Sequence, residues 1–156
     1  MCRNAGVAAA RGEIIVSIDA DCVAAPGWLK GMVKGFDDPG IGCVAGAIEP
    51  LEEPESSDLR EFLIAKGHLS QEQHVQHTFL PHAATANAAY RREVFGRIGL
   101  FDEELRSGED KDICWRMQIE TDLRVAYVPE AVVYHPYETD ARALFRQKRT
   151  HAYGEV

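Results

Sequence analysis

The sequence predicts an α/β fold with a mostly parallel central sheet flanked by helices. Two apolar runs and the pattern between them carry that prediction. Glu13 to Asp21 (EIIVSIDAD) is nearly unbroken until it ends in two carboxylates one residue apart, and Ile41 to Ile48 (IGCVAGAI) is a second run. Runs without alternation describe strands buried on both faces, as in parallel sheets. A helical pattern separates them, and the order helix, strand, helix, strand is that of α/β chains.

The elements follow in order. Arg3 to Ala10 (RNAGVAAA) reads as the tail of a helix closed by Gly12 as a C-cap. The first strand follows at once. Pro26 then opens a helix whose apolar residues Trp28, Leu29, Met32, Val33 and Phe36 form one amphipathic face. Asp37-Asp38-Pro39-Gly40 stops it, and the second strand begins.

Glu49 to Asp58 is acidic, holds two prolines and reads as a loop. Leu59, Phe62, Leu63 and Leu69 suggest a helix that fades into Gln71 to His77. His68, His74, His77 and His82 fall in this part of the chain and read as surface histidines on a mobile segment. No carboxylate pattern completes a metal site around them.

Ala83 to Tyr90 (AATANAAY) reads as a small-residue strand or a close-packed passage, and Arg91 to Ile98 as a short helix. Ser107-Gly108-Glu109-Asp110 leads into a helix through about Glu120, with Ile113, Cys114 and Met117 inward. Leu123 to Val128 and Ala131 to Tyr134 read as two strands parted by Pro129. Ala141 to His151 is a basic amphipathic helix with Leu144 and Phe145 on one side.

Composition narrows the function. At 156 residues and 46% hydrophobic, the chain suffices for one domain with a real core. A formal net charge of −8 argues against a general nucleic-acid binder, so any site for an anion must be local. No signal-peptide pattern opens the chain, and no apolar run is long enough to cross a bilayer. Cys2, Cys22, Cys43 and Cys114 show no paired spacing, which predicts buried free thiols in a reducing compartment and no zinc site.

Three places carry chemistry. Ligands of open α/β sheets gather at the carboxyl ends of strands, where Asp19 and Asp21 stand. Hard cations such as Mg²⁺ or Mn²⁺ take oxygen ligands and bridge carboxylates to phosphates. Alone, Asp-Ala-Asp also describes a turn that caps the next helix. At the second place, Ser107-x-x-Asp110 matches a capping box, while the same geometry suits Asp110 as a general base. Neighbouring Glu109 and Asp112 are expected to raise its proton affinity. Third, His135 ends the apolar strand AVVY before Pro136. Beside two aspartates its neutral imidazole would complete a mixed oxygen and nitrogen metal shell. Arg91, Arg92 and Arg116 read as surface or ion-pair residues, with one of them open to a diphosphate role.

Five blocks in order, RNAGVAAARGEIIVSIDADC, PGWLKGMVKGF, TANAAYRREVFGRIGLFDEEL, SGEDKDICWRM and VPEAVVYH, resemble the family-two inverting glycosyltransferases of GT-A fold. The resemblance covers nearly the whole chain and is weakest across Glu49 to His82. It implies a Rossmann-like GT-A domain over residues 1–156 that lacks the first β-α-β portion, with much of the base pocket missing and an exposed sheet edge. It also implies a role for each site residue. Asp21 becomes the metal ligand, joined by Asp19 and His135, and Asp110 the base. Asp19, Arg3, Asn87 and Glu109 fall on the donor side. The implied cofactor is Mn²⁺ or Mg²⁺, the donor a nucleotide-sugar and the acceptor a carbohydrate or lipid-linked hydroxyl. The implied location is cytoplasmic, extending to peripheral association at the inner face of a membrane.

Two other readings stand beside it. Ile18-Asp19-Ala20-Asp21-Cys22-Val23 also fits the aspartate-nucleophile, Mg²⁺-dependent phosphatases, whose later Gly-Asp-x-x-x-Asp is only approximated by Gly108 to Asp112. The other is a non-catalytic remnant that folds and transfers nothing.

Overall fold

A computed structural model describes residues 2–52 and 57–152. In chain order the elements are α1 (Cys2–Ala9), β1 (Ile14–Ile18), β2 (Val23–Ala24), α2 (Trp28–Lys34), β3 (Ile41–Pro50) and α3 (Asp58–Ala65). There follow α4 (Gln71–Val75), β4 (Asn87–Arg91), α5 (Arg92–Ile98), α6 (Glu109–Glu120), β5 (Arg124–His135) and α7 (Ala141–Ala152). The strands form one sheet in the order β1-β4-β3-β5-β2.

The α/β architecture is present, but the sheet is mixed and not mostly parallel. Only β3 and β5 run parallel; β4 is antiparallel to both β1 and β3, and β2 to β5. The reason lies in the return path. Ala45 pairs with Ala88 and Cys43 with Tyr90, so β4 starts near the end at which β3 finishes. The chain returns to the sheet at that same end, and such a return gives antiparallel pairing. The same end collects the carboxyl termini of β1 and β5, since Ile18 pairs with Asn87 and Pro50 with His135.

Period-two alternation divides the core. Cys43, Ala45, Ala88 and Tyr90 point to one face, where they pack with Val94, Phe95 and Phe101 and with Ile113, Cys114 and Met117 of α6. Val44 and Ala89 point to the other, against Met32 and Phe36. The run Ile41 to Ile48 is therefore buried on both faces as expected, whereas β1 is an edge strand and only half-buried.

Several boundaries shift from the sequence reading. Gly12 is no left-handed cap, because α1 has ended at Ala9. Leu29 and Val33 of α2 are exposed while Met32 is buried, so the contact stripe is narrower than the apolar face. Glu49 and Pro50 belong to β3 and not to the acidic loop, of which residues 53–56 lie outside the described residues. Where the helix was expected to fade, Ser70 caps α4 by accepting from the Gln73 N–H. Residues 83–86 are buried but not strand. Pro129 does not divide β5, because the β3–β5 register shifts between Gly46 and Ile48 and the ladder there does not need its missing N–H.

All four cysteines are free; Cys43 and Cys114 are buried, Cys22 is half-buried and Cys2 exposed. Among the described residues no helix is long and apolar enough to cross a membrane.

Candidate active site

At the end of the sheet where β1 and β5 finish lies a cavity of about 550 Å³. Arg3, Asp19, Asp21, Glu109, Asp110 and His135 all border it. Residues from the first helix, the first strand, α6 and the last strand thus meet in one place.

Asp19 follows β1, and its carbonyl accepts from the Cys22 N–H at 3.0 Å, closing the turn that carries Asp21. Asp21 is exposed and its Oδ1 lies 3.9 Å from His135 Nε2. The other ring nitrogen of His135, Nδ1, contacts the Pro136 carbonyl. A carbonyl only accepts, so Nδ1 carries a proton and Nε2 is the ring atom that faces Asp21.

This arrangement suits a divalent cation. A carboxylate oxygen and an imidazole nitrogen, both ligand atoms for such an ion, lie 3.9 Å apart. The Cys22 sulfur lies in the same group, with one ligand atom from each of Asp21, Cys22 and His135 within 4.8 Å of the others. Burial, followed by the charges of Asp19 and Asp21, pushes the Cys22 thiol up to about 11. The carboxylate and imidazole beside it are oxygen and nitrogen donors suited to Mn²⁺ or Mg²⁺.

Asp110 stands in the first turn of α6. The capping box does not form: the N-cap is Gly108 in a left-handed conformation (φ 84°), and no side chain caps the helix. Asp110 Oδ1 instead accepts the Lys111 N–H at 2.8 Å. Burial is the main cause raising its proton affinity, the Lys111 N–H opposes it, and the Glu109 charge adds to the rise. Asp112 has no such part, because it pairs with Arg116 one turn on, at 2.6 Å.

Arg3 connects the two acidic places. Its guanidinium donates to Glu109 and lies 3.9 Å from Asp19.

Asn87 requires a correction. Its side chain is fully buried and committed to the protein: Nδ2 donates to the carbonyls of Ala47 and Ala131 at 2.7 and 2.8 Å, and Oδ1 accepts from Trp28 Nε1 at 2.8 Å. No polar atom remains for a donor. Gly46 lies against it, where a Cβ would collide with the Ala131 carbonyl and the Asn87 amide. Asn87 ties β3, β4, β5 and α2 together beneath the cavity, and it is the neighbouring Ala84, Thr85 and Ala86 that border the space.

Arg91, Arg92 and Arg116 lie outside the cavity and are structural. Arg91 donates to the carbonyls of Ile41 and Phe36, Arg92 to that of Gly12, and Arg116 to those of Ile98 and Leu100. The histidines depart most from expectation. His82 is buried, His74 half-buried, and both rings border the cavity with His68. Gln147 and Lys148 of α7 border it as well. Nothing in the spacing of these residues announces that position; a polar side chain between apolar neighbours, as in Pro81-His82-Ala83-Ala84, is the one local sign.

The mixed sheet and its flanking helices share the GT-A fold of the solved glycosyltransferases that the chain aligns with. The profile of glycosyl transferase family 2 matches residues 2–99, and the chain belongs to that family. It is 34% identical over 149 residues to the pre-mycofactocin glycosyltransferase of Mycobacterium tuberculosis, covering 94% of this chain and 32% of that protein. To the glucosyl-dolichyl phosphate glucuronosyltransferase of Haloferax volcanii it is 24% identical over 148 residues, or 85% of this chain and 46% of that protein. The chain therefore spans a third to a half of the length of these curated relatives.

Among solved structures, the mannosyltransferase PcManGT from Pyrobaculum calidifontis, in complex with GDP-Man and Mn²⁺, aligns with a TM-score of 0.62 and 22% identity over 94% of this chain and 38% of that one. Glucosyl-3-phosphoglycerate synthase from Mycobacterium tuberculosis, in complex with Mn²⁺, UDP-glucose and phosphoglyceric acid, aligns at 0.56 and 18% over 92% of this chain and 48% of that one. At such identities the likeness is one of fold.

Proposed function

We propose that this chain carries the chemistry of a nucleotide-sugar-dependent glycosyltransferase that inverts the anomeric centre. The observation that supports it most is the convergence of Asp21 and His135 with Asp110 on one cavity. Asp21 and His135, with Asp19 beside them, would hold Mn²⁺ or Mg²⁺, and the cation would supply positive charge where the nucleoside diphosphate departs.

The protein's own groups do the rest. Asp110 takes the proton from an acceptor hydroxyl as that oxygen attacks the anomeric carbon from the face opposite the departing diphosphate. A carboxylate raised by burial is a stronger base than an exposed one, and its hydrogen bond from Lys111 keeps one oxygen fixed. Arg3 holds Glu109 and approaches Asp19, so the base side and the metal side keep their separation. The contact of His135 Nδ1 with the Pro136 carbonyl keeps Nε2 toward Asp21.

The test couples two measurements on the chain: Mn²⁺ binding followed by loss of the free-ion paramagnetic resonance signal, and release of UDP or GDP from a panel of nucleotide-sugars. Expected are Mn²⁺ binding that Asp21→Ala abolishes and diphosphate release that Asp110→Asn abolishes. Binding with no release from any donor would favour the non-catalytic reading, and Mn²⁺ affinity unchanged in Asp21→Ala would overturn the assignment of the metal site.

The expectation of a membrane surface finds support in α7. Arg142, Phe145, Arg146 and Arg149 follow a spacing of three and four residues and are all exposed, Phe145 by 69%. Such a basic stripe with one aromatic, on a chain of net charge −8, suits an anionic lipid surface.

A further inference from the structure

Tyr137 borders the cavity two residues past His135 and takes no part in the proposed chemistry. It is 8% exposed, and its hydroxyl donates to the carbonyl of His68, 69 residues earlier in the chain. Its ring meets two imidazoles near edge-on, His135 at 6.3 Å and 72° and His68 at 5.7 Å and 83°. Residues 136–140 form neither helix nor strand. Side-chain contacts, not a backbone ladder, hold this stretch against the rest of the protein.

The carbonyl that Tyr137 grips belongs to a strained turn. Ser70 N–H donates to the Gly67 carbonyl at 2.9 Å and closes the four residues Gly67-His68-Leu69-Ser70. The third of them, Leu69, has φ 63°, and no other described residue except glycine has a positive φ. A positive φ at that place marks a type II turn, where glycine or asparagine is the ordinary occupant. Leucine there crowds its Cβ against the backbone, and such strain persists only where the surroundings enforce it. A type I turn would relieve it. The two forms differ in the orientation of the central peptide, whose oxygen is the His68 carbonyl. The Tyr137 hydroxyl donates to that oxygen and so selects the strained form. In this form Leu69 borders the cavity and packs on Ile48, Ala84, Ala86 and Val133, the cluster against which Cys22, next to Asp21, also packs.

We propose that Tyr137 is a positioning residue for the metal end of the site: its hydroxyl, by holding the His68 carbonyl, clamps the chain after β5 onto the turn between α3 and α4 and so keeps His135 turned toward Asp21. The inference rests on the reading of Asp21 and His135 as metal ligands. The path is short. His135 Nδ1 contacts the Pro136 carbonyl, that carbonyl belongs to the peptide joining Pro136 to Tyr137, and the Tyr137 side chain anchors the peptide from its other side. With the anchor in place, Nε2 stands 3.9 Å from Asp21. Without the hydroxyl, the turn relaxes to the form that leucine prefers and the Pro136–Tyr137 peptide can rotate. His135 then loses the contact that orients its ring. Supporting contacts behind a ligand histidine are typically worth about 10–100-fold in metal affinity.

The test compares Tyr137→Phe, which keeps the ring and removes the hydroxyl, with Tyr90→Phe, which removes a core hydroxyl lying 3.6 Å from the Cys114 sulfur. Mn²⁺ affinity is read from loss of the free-ion paramagnetic resonance signal. The His135 ring and Leu69 methyl resonances are followed by NMR in the isotope-labelled, metal-free chain. Tyr137→Phe is expected to weaken Mn²⁺ binding about tenfold, equivalent to about 1.4 kcal/mol, and to move both sets of resonances. Tyr90→Phe is expected to leave all three readouts at the parent values. Unchanged Mn²⁺ affinity in Tyr137→Phe, in a parent that binds the ion, overturns this inference and leaves the metal site standing. Equal losses in the two variants overturn it as well, since they mark a general loosening, and so does weakened binding with the His135 ring unmoved. A parent that binds no Mn²⁺ sinks the metal reading instead. The metal-free resonances then decide the clamp: it stands if His135 and Leu69 both move in Tyr137→Phe and falls if either holds still.

Discussion

The guanidinium of Arg3, on the first helix, donates to the carboxylate of Glu109, on the first turn of α6, across 106 residues of chain. Glu109 stands next to Asp110 and its charge raises the proton affinity of that carboxyl. Arg3→Ala leaves the Glu109 charge unbalanced, so the proton affinity of Asp110 rises further. The acid limb of the pH–rate profile is expected to move to higher pH. A limb that stays in place would show that the contact does not reach Asp110.

Asp110→Asn should reduce transfer about 10²–10⁴-fold, the range for a lost general base, with Mn²⁺ affinity unchanged. Stability should move the other way. The carboxyl is raised above its ordinary 3.8 by burial, so ionising it opposes folding. Its favourable contribution is present below the unfolded value and lost as pH rises through the folded one. The asparagine variant should therefore equal or exceed the parent in thermal stability at neutral pH and lose that advantage below about 3.8. A variant markedly less stable at pH 7 would return Asp110 to a capping role.

Cys22→Ser should leave Mn²⁺ affinity within about threefold, because a thiol held at about 11 is protonated and no ligand for a hard cation. His135→Ala should weaken it by at least the 10–100-fold typical of a lost supporting contact in a metal site. Reversal of that order in a Mn²⁺ titration would move the site from the oxygen and nitrogen pair to the sulfur.

Asn87→Ala should cost on the order of 3 kcal/mol in urea unfolding, because it strands two buried carbonyls and the Trp28 N–H. The alternative, a donor contact, predicts a raised KM for nucleotide-sugar with little change in unfolding midpoint.

For α7, Phe145→Asp with Arg146→Glu should abolish co-sedimentation with vesicles containing phosphatidylserine, and raised salt should weaken the parent's binding. Equal retention of parent and variant would remove the membrane surface from the account.

The local features were legible in the sequence because local chemistry writes them. An apolar run without alternation marked β3, Asp19-Ala20-Asp21 marked a strand end, and the acidic start at Glu109 marked the opening of α6. Inward positions Ile113, Cys114 and Met117 followed from helical spacing. Strand direction was not legible, because it depends on which end of the sheet the chain between Leu51 and Ala86 returns to, and no short window records that.

The same holds for individual polar residues. Asn87 lies in a passage expected to line the cleft, and only the approach of Ala47, Ala131 and Trp28 turns it into a buried clamp. His82 becomes a cavity wall only once α4 and Trp115 pack around it. Sequence periodicity states which side of an element is apolar; which polar groups meet across 50 or 100 residues is decided by the summed packing of the whole domain, and that sum exists only in three dimensions.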